Sequence, residues 1–285
     1  MRLAHISDPH FGTEEAPVRD ALREDLLREA PDLVVLTGDI TQRARQAQFR
    51  AARAFLDSLA PLPVLTLPGN HDLPLFDLFT RFTAPYRHYR RHICASLSPL
   101  WRGRRVAVVG VNSTRMLRHK HGELPAPLVE QVARQLAALG ESFKVVALHH
   151  PLEIIEPSDR RNRVRGADAA LAAWIAAGAD LFLGGHIHLP YCVATGDGSR
   201  DALVLQAGTS MSTRRRNGRP NSYNLVRFVP IALRGAGEAG LRRIEIEERD
   251  HDARIGRFTI VTCREAVCTG SGWSLLSQGA VPLPG

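Results

Sequence analysis

Five short polar segments hold the residues whose types and spacing could do chemistry. The segments are Asp8–His10, Gly38–Asp39, Gly69–Asp72, His149–Pro151 and Gly184–His188. Their carboxylate, amide and imidazole groups are ligands of intermediate hardness, which suit Mn, Fe, Zn, Co or Ni better than Ca. Cysteine is absent from all five segments, which argues against a soft metal site. The residue types therefore predict a transition-metal centre, provided that the chain brings the segments together.

Each polar segment follows an apolar run of the kind that forms a buried strand. The runs are Leu3–Ile6, Leu33–Thr37, Val64–Leu67, Val145–Leu148 and Leu181–Leu183. In an open α/β sheet, ligands bind beyond the carboxyl ends of the strands. A single Gly-Asp or Asp-x-His is usually an ordinary turn or a surface pair. Because all five segments occupy the same position after a strand, together they predict one shared site.

The elements between these runs predict the architecture. Amphipathic stretches with apolar residues three and four apart predict helices over residues 16–30, 43–59, 126–139 and 167–178. Strands that alternate with helices are typical of an α/β fold with buried strands. We therefore expect an α/β protein whose strand ends carry the chemistry.

The C-terminal third has a different pattern. Residues 221–230, 242–250 and 257–266 are predicted to form strands with hairpin-like connections, in a second, more antiparallel sheet packed on the first. Residues 269–285 are rich in Gly, Ser and Pro, and we predict a loosely held tail there. We expect the preceding residues, 1–268, to form a single domain.

Composition narrows the function classes. No apolar run reaches 18 residues, so we predict no transmembrane helix. The N-terminus lacks a signal-peptide pattern, and the four cysteines form no CxxC pair, so we expect reduced thiols and a cytoplasmic location. The net charge of +8 fits an anionic substrate such as a phosphate ester or a nucleic acid. GC-rich DNA encodes chains that are rich in Arg, and this origin explains the positive charge equally well.

Taken in chain order, the polar segments resemble the motifs of the calcineurin-like metallophosphoesterases. The matching motifs are Asp8-x-His10, Gly38-Asp39, Gly69-Asn70-His71-Asp72, His149 and Gly185-His186-x-His188. The resemblance spans residues 1 to about 210, roughly three quarters of the chain. It implies a four-layer sandwich of two mixed β-sheets flanked by helices. It also implies two divalent or mixed-valence transition metal ions at the strand ends, with Mn, Fe or Zn as the leading candidates.

The resemblance also implies roles for individual residues. One metal would be held by Asp8, His10, Asp39 and His188. The other would be held by Asp39, Asn70, His149 and His186, with Asp39 bridging the two ions. His71 would be the acid near the leaving group.

Four further residues are candidates for supporting roles. In the His149-His150 pair, the family pattern favours His149 as the ligand and leaves His150 to touch substrate. Asn112 and Arg115 follow another predicted strand; substrate contact and ordinary capping both explain them. Asp72 is a candidate to orient an imidazole or to cap a helix. The Arg clusters at 160–165 and 214–219 could flank the site and hold a phosphate, or lie in solvated loops.

These features predict a metal-dependent phosphoester hydrolase. Within the family, the "HISDPHFG" opening is similar to that of bacterial cyclic-nucleotide phosphodiesterases, which implies small nucleotide-type diesters as substrates. The alternatives are a nuclease, a phosphomonoesterase and a non-catalytic binding scaffold. As the binding partner, a small phosphoester is our first choice and nucleic acid our second. A homo-oligomer is also left open.

A lipid-phosphate pyrophosphatase would need an exposed apolar lid. Residues 73–82, "LPLFDLFTRF", are the candidate segment. We instead expect this segment to pack against the protein as a helix.

Overall fold

The computed structural model of the protein describes residues 1–118, 120–196, 199–229, 242–269 and 272–278. The described residues form strands and α-helices that alternate over most of the chain. In chain order the elements are β1 (Arg2–Ile6), α1 (Ala16–Glu29), β2 (Leu33–Thr37), α2 (Gln46–Asp57), β3 (Val64–Leu67), α3 (Leu78–Thr83), α4 (Arg87–His92), β4 (Leu100–Arg102), β5 (Val106–Gly110), α5 (Ala126–Ala137), β6 (Phe143–Ala147), α6 (Ala167–Ala176), β7 (Leu181–Gly184), β8 (Tyr191–Gly196), β9 (Asp201–Gln206), β10 (Ser222–Val229), β11 (Arg242–Asp252), β12 (Arg257–Thr269) and β13 (Gly272–Gln278).

The strands form two mixed sheets. The first has the order β13-β12-β11-β10-β1-β2-β3, and the second has the order β4-β5-β6-β7-β9-β8. In the first sheet β1, β2 and β3 are parallel, whereas β10 to β13 run antiparallel to their neighbours. In the second sheet β5, β6, β7 and β9 are parallel, with β4 and β8 antiparallel at the edges. The strands that precede the polar segments therefore belong to the parallel parts of both sheets.

Three apolar cores separate four layers. One core lies between the two sheets and joins residues such as Leu3 and Leu33 to Val145 and Leu181. A second core joins the first sheet to α1, α2 and α4. A third core joins the second sheet to α5 and α6, with Trp174 at its centre. This arrangement confirms the predicted four-layer sandwich of two mixed sheets flanked by helices.

The alternation of side chains along a strand explains how one strand serves two cores. In β1, Leu3 packs into the core between the sheets, whereas Ala4 and Ile6 face the helices. In α2 the buried Phe49, Ala52, Phe55 and Leu56 lie on one face, at the spacing of three and four residues that an amphipathic helix requires. Burying strands on both faces fixes their ends, which is where the polar segments begin.

The C-terminal strands depart from the prediction. They were expected to form a separate sheet, but β10 pairs antiparallel with β1, so β10 to β13 extend the first sheet. The predicted loose tail is also wrong in part, because Gly272–Gln278 form β13 and pair with β12. Residues 279–285 of that predicted tail lie outside the described residues.

The segment 73–82 does not pack as predicted. Its second half begins α3, but Phe76 and Phe79 are about four-fifths exposed, at 78% and 80%. The side chains that α3 buries are those of Thr80 and Arg81. Among the helices in the described part of the chain, none is long and apolar enough to cross a lipid bilayer.

Candidate metal centre

The polar segments meet where the parallel strands of the two sheets end. Asp8 follows β1, Asp39 follows β2 and Asn70 follows β3, all in the first sheet. His149 follows β6 and His186 follows β7 in the second sheet. Backbone hydrogen bonds tie neighbouring segments together, from Asp8 N to Gly38 O and from Gly185 N to His149 O. The site therefore lies across the ends of both sheets.

The backbone of these segments is unusually constrained. Five residues adopt the left-handed region in spite of having a side chain, with φ between 46° and 74°: Asp8, His10, Asp39, His186 and His188. Such conformations carry a strain of roughly 1–3 kcal/mol each and cluster at functional sites. Side-chain direction at the site is thus set by the backbone before any ligand binds.

Two glycines permit the close approach of the segments. A Cβ at Gly69 would overlap the backbone and carboxylate of Asp39, and a Cβ at Gly185 would overlap the Ser7 hydroxyl and the Asp8 carboxylate. Only glycine lets these backbones pass so near to the neighbouring carboxylates.

One group of ligand-type atoms gathers around Asp8. His188 Nε2 lies 3.1 Å from Asp8 Oδ1 and 3.1 Å from His10 Nε2. His10 Nε2 also lies 3.7 Å from Asp8 Oδ1 and 3.8 Å from Asp39 Oδ2. In Asp8, His10 and His188 the ligand atoms lie within 4.8 Å of one another.

A second group gathers around His149. Its Nε2 lies 3.1 Å from Asn70 Oδ1, 3.3 Å from Asp39 Oδ1 and 3.3 Å from His186 Nδ1. Asp39 thus contacts an imidazole of each group, His10 through Oδ2 and His149 through Oδ1. The predicted bridging residue lies between the two groups.

Hydrogen bonds fix the tautomers of two imidazoles. His149 Nδ1 donates to the carbonyl of Thr37, and His188 Nδ1 donates to the carbonyl of Arg214. In its neutral form, each ring therefore carries a lone pair on Nε2. These lone pairs face the oxygens of Asn70 and Asp8, which are acceptors as well. Buried acceptors that face one another require a cation or a proton between them, so the donor set fits metal ions.

The electrostatics keep both carboxylates of the site charged and favour either a cation or a proton beside them. Burial acts to raise the pKa of Asp8, but the imidazoles of His188 and His149 hold it well below the ordinary value. Asp39 is also fully buried, and the imidazoles of His149 and His71 likewise lower its pKa. Burial disfavours the charged form of His149, yet the carboxylates of Asp39 and Asp8 raise its pKa to about 9. The cavity holds two carboxylates in their charged form, which is the requirement for binding cations.

His71 lies at the edge of these groups. Its backbone N–H donates to Asp39 Oδ1 at 2.7 Å, and its Nδ1 donates to the carbonyl of Gln42 at 2.9 Å. Its Nε2 accepts a hydrogen bond of 3.1 Å from the guanidinium of Arg214, which also donates to Gln42 Oε1. The ring therefore presents Nε2 toward an arginine rather than toward the buried carboxylates.

Asp72 contacts backbone donors. Its carboxylate accepts from the N–H groups of Ile40, Thr41 and Gly69, and from the Thr41 hydroxyl. Burial and the nearby Asp39 charge raise its pKa to about 7. These contacts tie the turn after β2 to the turn after β3, and both roles predicted for Asp72 stay predictions.

The other predicted substrate contacts are engaged within the protein. His150 Nε2 donates to the carbonyl of Lys120, and His150 Nδ1 accepts from the Ser113 hydroxyl, so neither nitrogen offers a lone pair to the site. The side chain of Asn112 accepts from Thr114 and donates to the hydroxyl of Tyr86. The Arg115 guanidinium donates to the carbonyls of Asn112 and Thr114.

Sequence reasoning missed two supporting residues. The carbonyls of Thr37 and Arg214 fix the tautomers of His149 and His188. A carbonyl has no residue-type signature, so neither role was visible in the sequence. The Arg214 side chain had a signal, because it opens the "RRRNGR" cluster of residues 214–219.

Comparison with known proteins places this geometry in a family. A sequence model of the calcineurin-like phosphoesterases matches residues 1–190. A glycerophosphodiester phosphodiesterase of Enterobacter lignolyticus is 32% identical over 169 residues, which cover 53% of this chain and 57% of that protein. A cAMP/cGMP dual specificity phosphodiesterase of Mycobacterium tuberculosis is 28% identical over 260 residues, covering 80% of this chain and 76% of that protein.

A solved structure with the same fold supports the assignment. A dimetal phosphatase from Danio rerio superposes with a TM-score of 0.62 at 12% identity, covering 88% of this chain and 96% of the other. That likeness concerns the fold alone. Because the family match covers two thirds of the sequence and includes the turns after β1, β2, β3, β6 and β7, the chain belongs to the calcineurin-like phosphoesterase family, a family of metal-dependent hydrolases.

Proposed function

We propose that the protein is a two-metal phosphodiesterase that acts on small nucleotide-type diesters, cyclic nucleotides among them. The observation that carries the proposal is the set of buried lone pairs that face one another around His149 Nε2 and His188 Nε2. Nothing but a cation or a proton relieves that arrangement, and two such groups share the carboxylate of Asp39. Metal ions that displace these protons would lie in two neighbouring groups, because both groups share Asp39.

The proposed ligand sets follow the two groups. One ion would be held by Asp8, His10, Asp39 and His188, and the other by Asp39, Asn70, His149 and His186. Mixed oxygen and nitrogen donors favour Mn, Fe or Zn. Such a pair of ions would supply charge neutralisation at the phosphoryl group and would lower the pKa of water so that hydroxide is available as the nucleophile.

We assign His71 as the general acid. Its Nδ1 proton is committed to the Gln42 carbonyl, so Nε2 is the ring atom that can hold a proton for a leaving oxygen. The Arg214 guanidinium now bonded to Nε2 can instead donate to a phosphate oxygen when substrate enters. A phosphate bound there would draw the guanidinium away from the imidazole and leave Nε2 facing the leaving oxygen.

Two relatives support a diester rather than a monoester as substrate. Both curated proteins that match are phosphodiesterases, one for glycerophosphodiesters and one for cyclic nucleotides. Among these diesters, the cyclic nucleotide is our choice, since that relative matches over the larger share of this chain. His150, Asn112 and Arg115 are engaged by protein groups, so a role for them at the substrate requires their present hydrogen bonds to rearrange.

The decisive experiment compares two chromogenic substrates. Hydrolysis of bis-(p-nitrophenyl) phosphate and of p-nitrophenyl phosphate is measured with added Mn²⁺ and with chelator. The variants are Asp39→Ala and, as a matched control, Asp57→Ala, whose carboxylate is exposed on α2. We expect diester turnover that chelation and Asp39→Ala abolish and that Asp57→Ala leaves intact.

Other outcomes would redirect the proposal. A preference for the monoester would make the protein a phosphatase of the same family. Metal binding without turnover on either ester would favour a binding scaffold. Cleavage of oligonucleotides in preference to cyclic nucleotides would favour a nuclease.

A further inference from the structure

An exposed apolar surface lies beside the candidate metal centre. Among the described residues, six of the ten large hydrophobic side chains that are exposed fall in two short segments. These six form what we call the apolar patch: Phe76, Leu78, Phe79, Phe82, Met116 and Leu117. Phe79 and Leu117 are 80% and 77% exposed. Scattered apolar residues are normal on a surface, but a cluster of this kind marks a binding surface.

The two segments of the patch are held together from within. The Arg81 side chain is buried, and its guanidinium donates to the carbonyl of Pro74 at 2.8 Å and to that of Arg118 at 3.4 Å. Helix α3 therefore turns Thr80 and Arg81 inward and its phenylalanines outward. The two hydrogen bonds of the Arg81 guanidinium maintain this orientation, so the exposure of the phenylalanines is a property of the fold.

Both segments are anchored at the candidate metal centre. The chain enters the first segment at Leu73, directly after Asp72. The loop that carries Met116 and Leu117 is tied to His150, which bonds to the Ser113 hydroxyl and the Lys120 carbonyl. Both segments of the patch are thus joined directly to segments that carry candidate site residues.

Positive charge lies beside the patch. Apart from the buried Arg81, residues 73–92 and 112–123 contain six Arg and Lys residues but only two carboxylates, Asp77 and Glu123. Arg43, Arg45 and His88 line one cavity together with Phe76. The Arg43 guanidinium also lies 5.8 Å over the ring of Phe76. Exposed apolar side chains with cations beside them match a surface that offers hydrocarbon and negative charge together.

We propose that the apolar patch docks the protein on an anionic lipid bilayer. The phenyl and aliphatic side chains enter the boundary between headgroups and acyl chains, while the neighbouring arginines contact lipid phosphates. Docking in this way brings the segments that carry Asp72 and His150 near the membrane surface. The proposal goes beyond the hydrolytic function and does not depend on it.

Charge and shape disfavour two other occupants. A two-fold contact with a second copy pairs the patch with itself, so that arginines face arginines. Single-stranded nucleic acid stacks its bases on aromatic rings, but Leu78, Met116 and Leu117 make up half of the patch. An anionic bilayer satisfies both the aliphatic side chains and the cations.

Vesicle co-sedimentation tests the proposal without any need for hydrolysis. The full chain is mixed with phosphatidylcholine vesicles and with vesicles of equal parts phosphatidylcholine and phosphatidylglycerol. We expect binding to the anionic vesicles at least about tenfold tighter than to the neutral ones, weakening as salt is added. The double variant Phe76→Ser/Phe79→Ser should bind anionic vesicles about tenfold more weakly.

A matched control uses an exposed apolar residue elsewhere. Ile255 is 58% exposed on the turn between β11 and β12, so Ile255→Ser should bind vesicles as the unaltered protein does. The urea midpoint of each variant confirms that it is folded. The proposal is overturned if the unaltered protein ignores anionic vesicles, or if Phe76→Ser/Phe79→Ser binds them undiminished. It is equally overturned if that variant instead dissociates a dimer seen by light scattering, or loses binding to an oligonucleotide.

Discussion

The candidate metal centre and the apolar patch depart in opposite ways from the rule that polar side chains are exposed and apolar side chains are buried. At the centre, Asp8, His10 and His149 are fully buried. In the patch, Phe76 and Phe79 are largely exposed. Buried charge and exposed aromatic surface are both unfavourable unless a second species compensates them. A bound cation would compensate the buried charge, and a lipid bilayer would compensate the exposed aromatic surface. The two regions are therefore both explained by binding to something outside the protein.

Burial alone does not decide how a carboxylate behaves in this protein. Asp250, in β11, is not one of the candidate ligands, and partial burial together with the nearby Glu248 raises its pKa to about 7. Asp8 and Asp39 are more deeply buried, yet surrounding imidazoles lower their pKa. The opposite shifts distinguish a carboxylate set up to bind cations from one that burial merely destabilises.

The largest expected effect is a loss of hydrolytic rate caused by a substitution at the candidate metal centre. Replacement of His71 by Ala should slow release of an alkoxide leaving group by about 10²–10⁴-fold, because no proton is supplied to the departing oxygen. Nitrophenolate leaves without protonation, so the loss on bis-(p-nitrophenyl) phosphate should be smaller. Steady-state rates on the nitrophenyl diester and on an alkyl phosphodiester check this. Equal losses on both substrates would contradict the general-acid role.

Metal binding should stabilise the centre and leave the patch unaffected. With Mn²⁺ at about 1,000 times its dissociation constant, the free energy of unfolding should rise by about 4 kcal/mol, because the ion binds the folded state only. Urea unfolding with Mn²⁺ and with chelator measures the difference. Asp39→Ala should lose most of the gain, whereas Phe76→Ser/Phe79→Ser should keep it. A gain that survives Asp39→Ala would place the metal elsewhere.

The sequence predicted the strand ends well because two signals coincide there. An apolar run that ends in Gly-Asp or Gly-Asn reports both a buried strand and a polar turn, and β2 and β3 begin and end at the predicted residues. The sheet to which the C-terminal strands belong was predicted wrongly. Pairing of β10 with β1 joins residues more than 200 positions apart, such as Ala4 and Leu225, and local patterns carry no information about it.

The packing of residues 73–82 was predicted wrongly for a related reason. An apolar pattern shows that a helix has an apolar face, but which face is buried depends on its neighbours. Here that choice follows from the Arg81 guanidinium, which bonds to the carbonyl of Arg118 far along the chain. The "HHP" pair was similarly ambiguous in sequence, and only the contacts of His150 with Ser113 and Lys120 distinguish its surroundings from those of His149.

A pH experiment tests the contrast between the two kinds of buried carboxylate. The raised pKa of Asp250, about 7, means that the folded state binds its proton more tightly than the unfolded state. The ionised Asp250 carboxylate lowers the free energy of unfolding. This loss of stability is absent below pH 4 and grows as the pH rises toward 7. Asp250→Asn should stabilise the protein by roughly 2–4 kcal/mol at pH 8 and have little effect at pH 4. Urea midpoints at both pH values check this, and an equal gain at each would refute the titration.

The smallest expected effect concerns the patch itself. Because Phe79 is 80% exposed, Phe79→Ala should change the free energy of unfolding by no more than about 0.5 kcal/mol. Phe49, fully buried in the α2 face of the core, is the matched control, and Phe49→Ala should destabilise by about 3–5 kcal/mol. Urea unfolding of both variants makes the comparison. If Phe79→Ala destabilised the protein as strongly as Phe49→Ala, the phenyl ring would belong to the core in solution. A negligible effect would mean that the fold does not need this ring, so that its exposure has to be explained by what it binds.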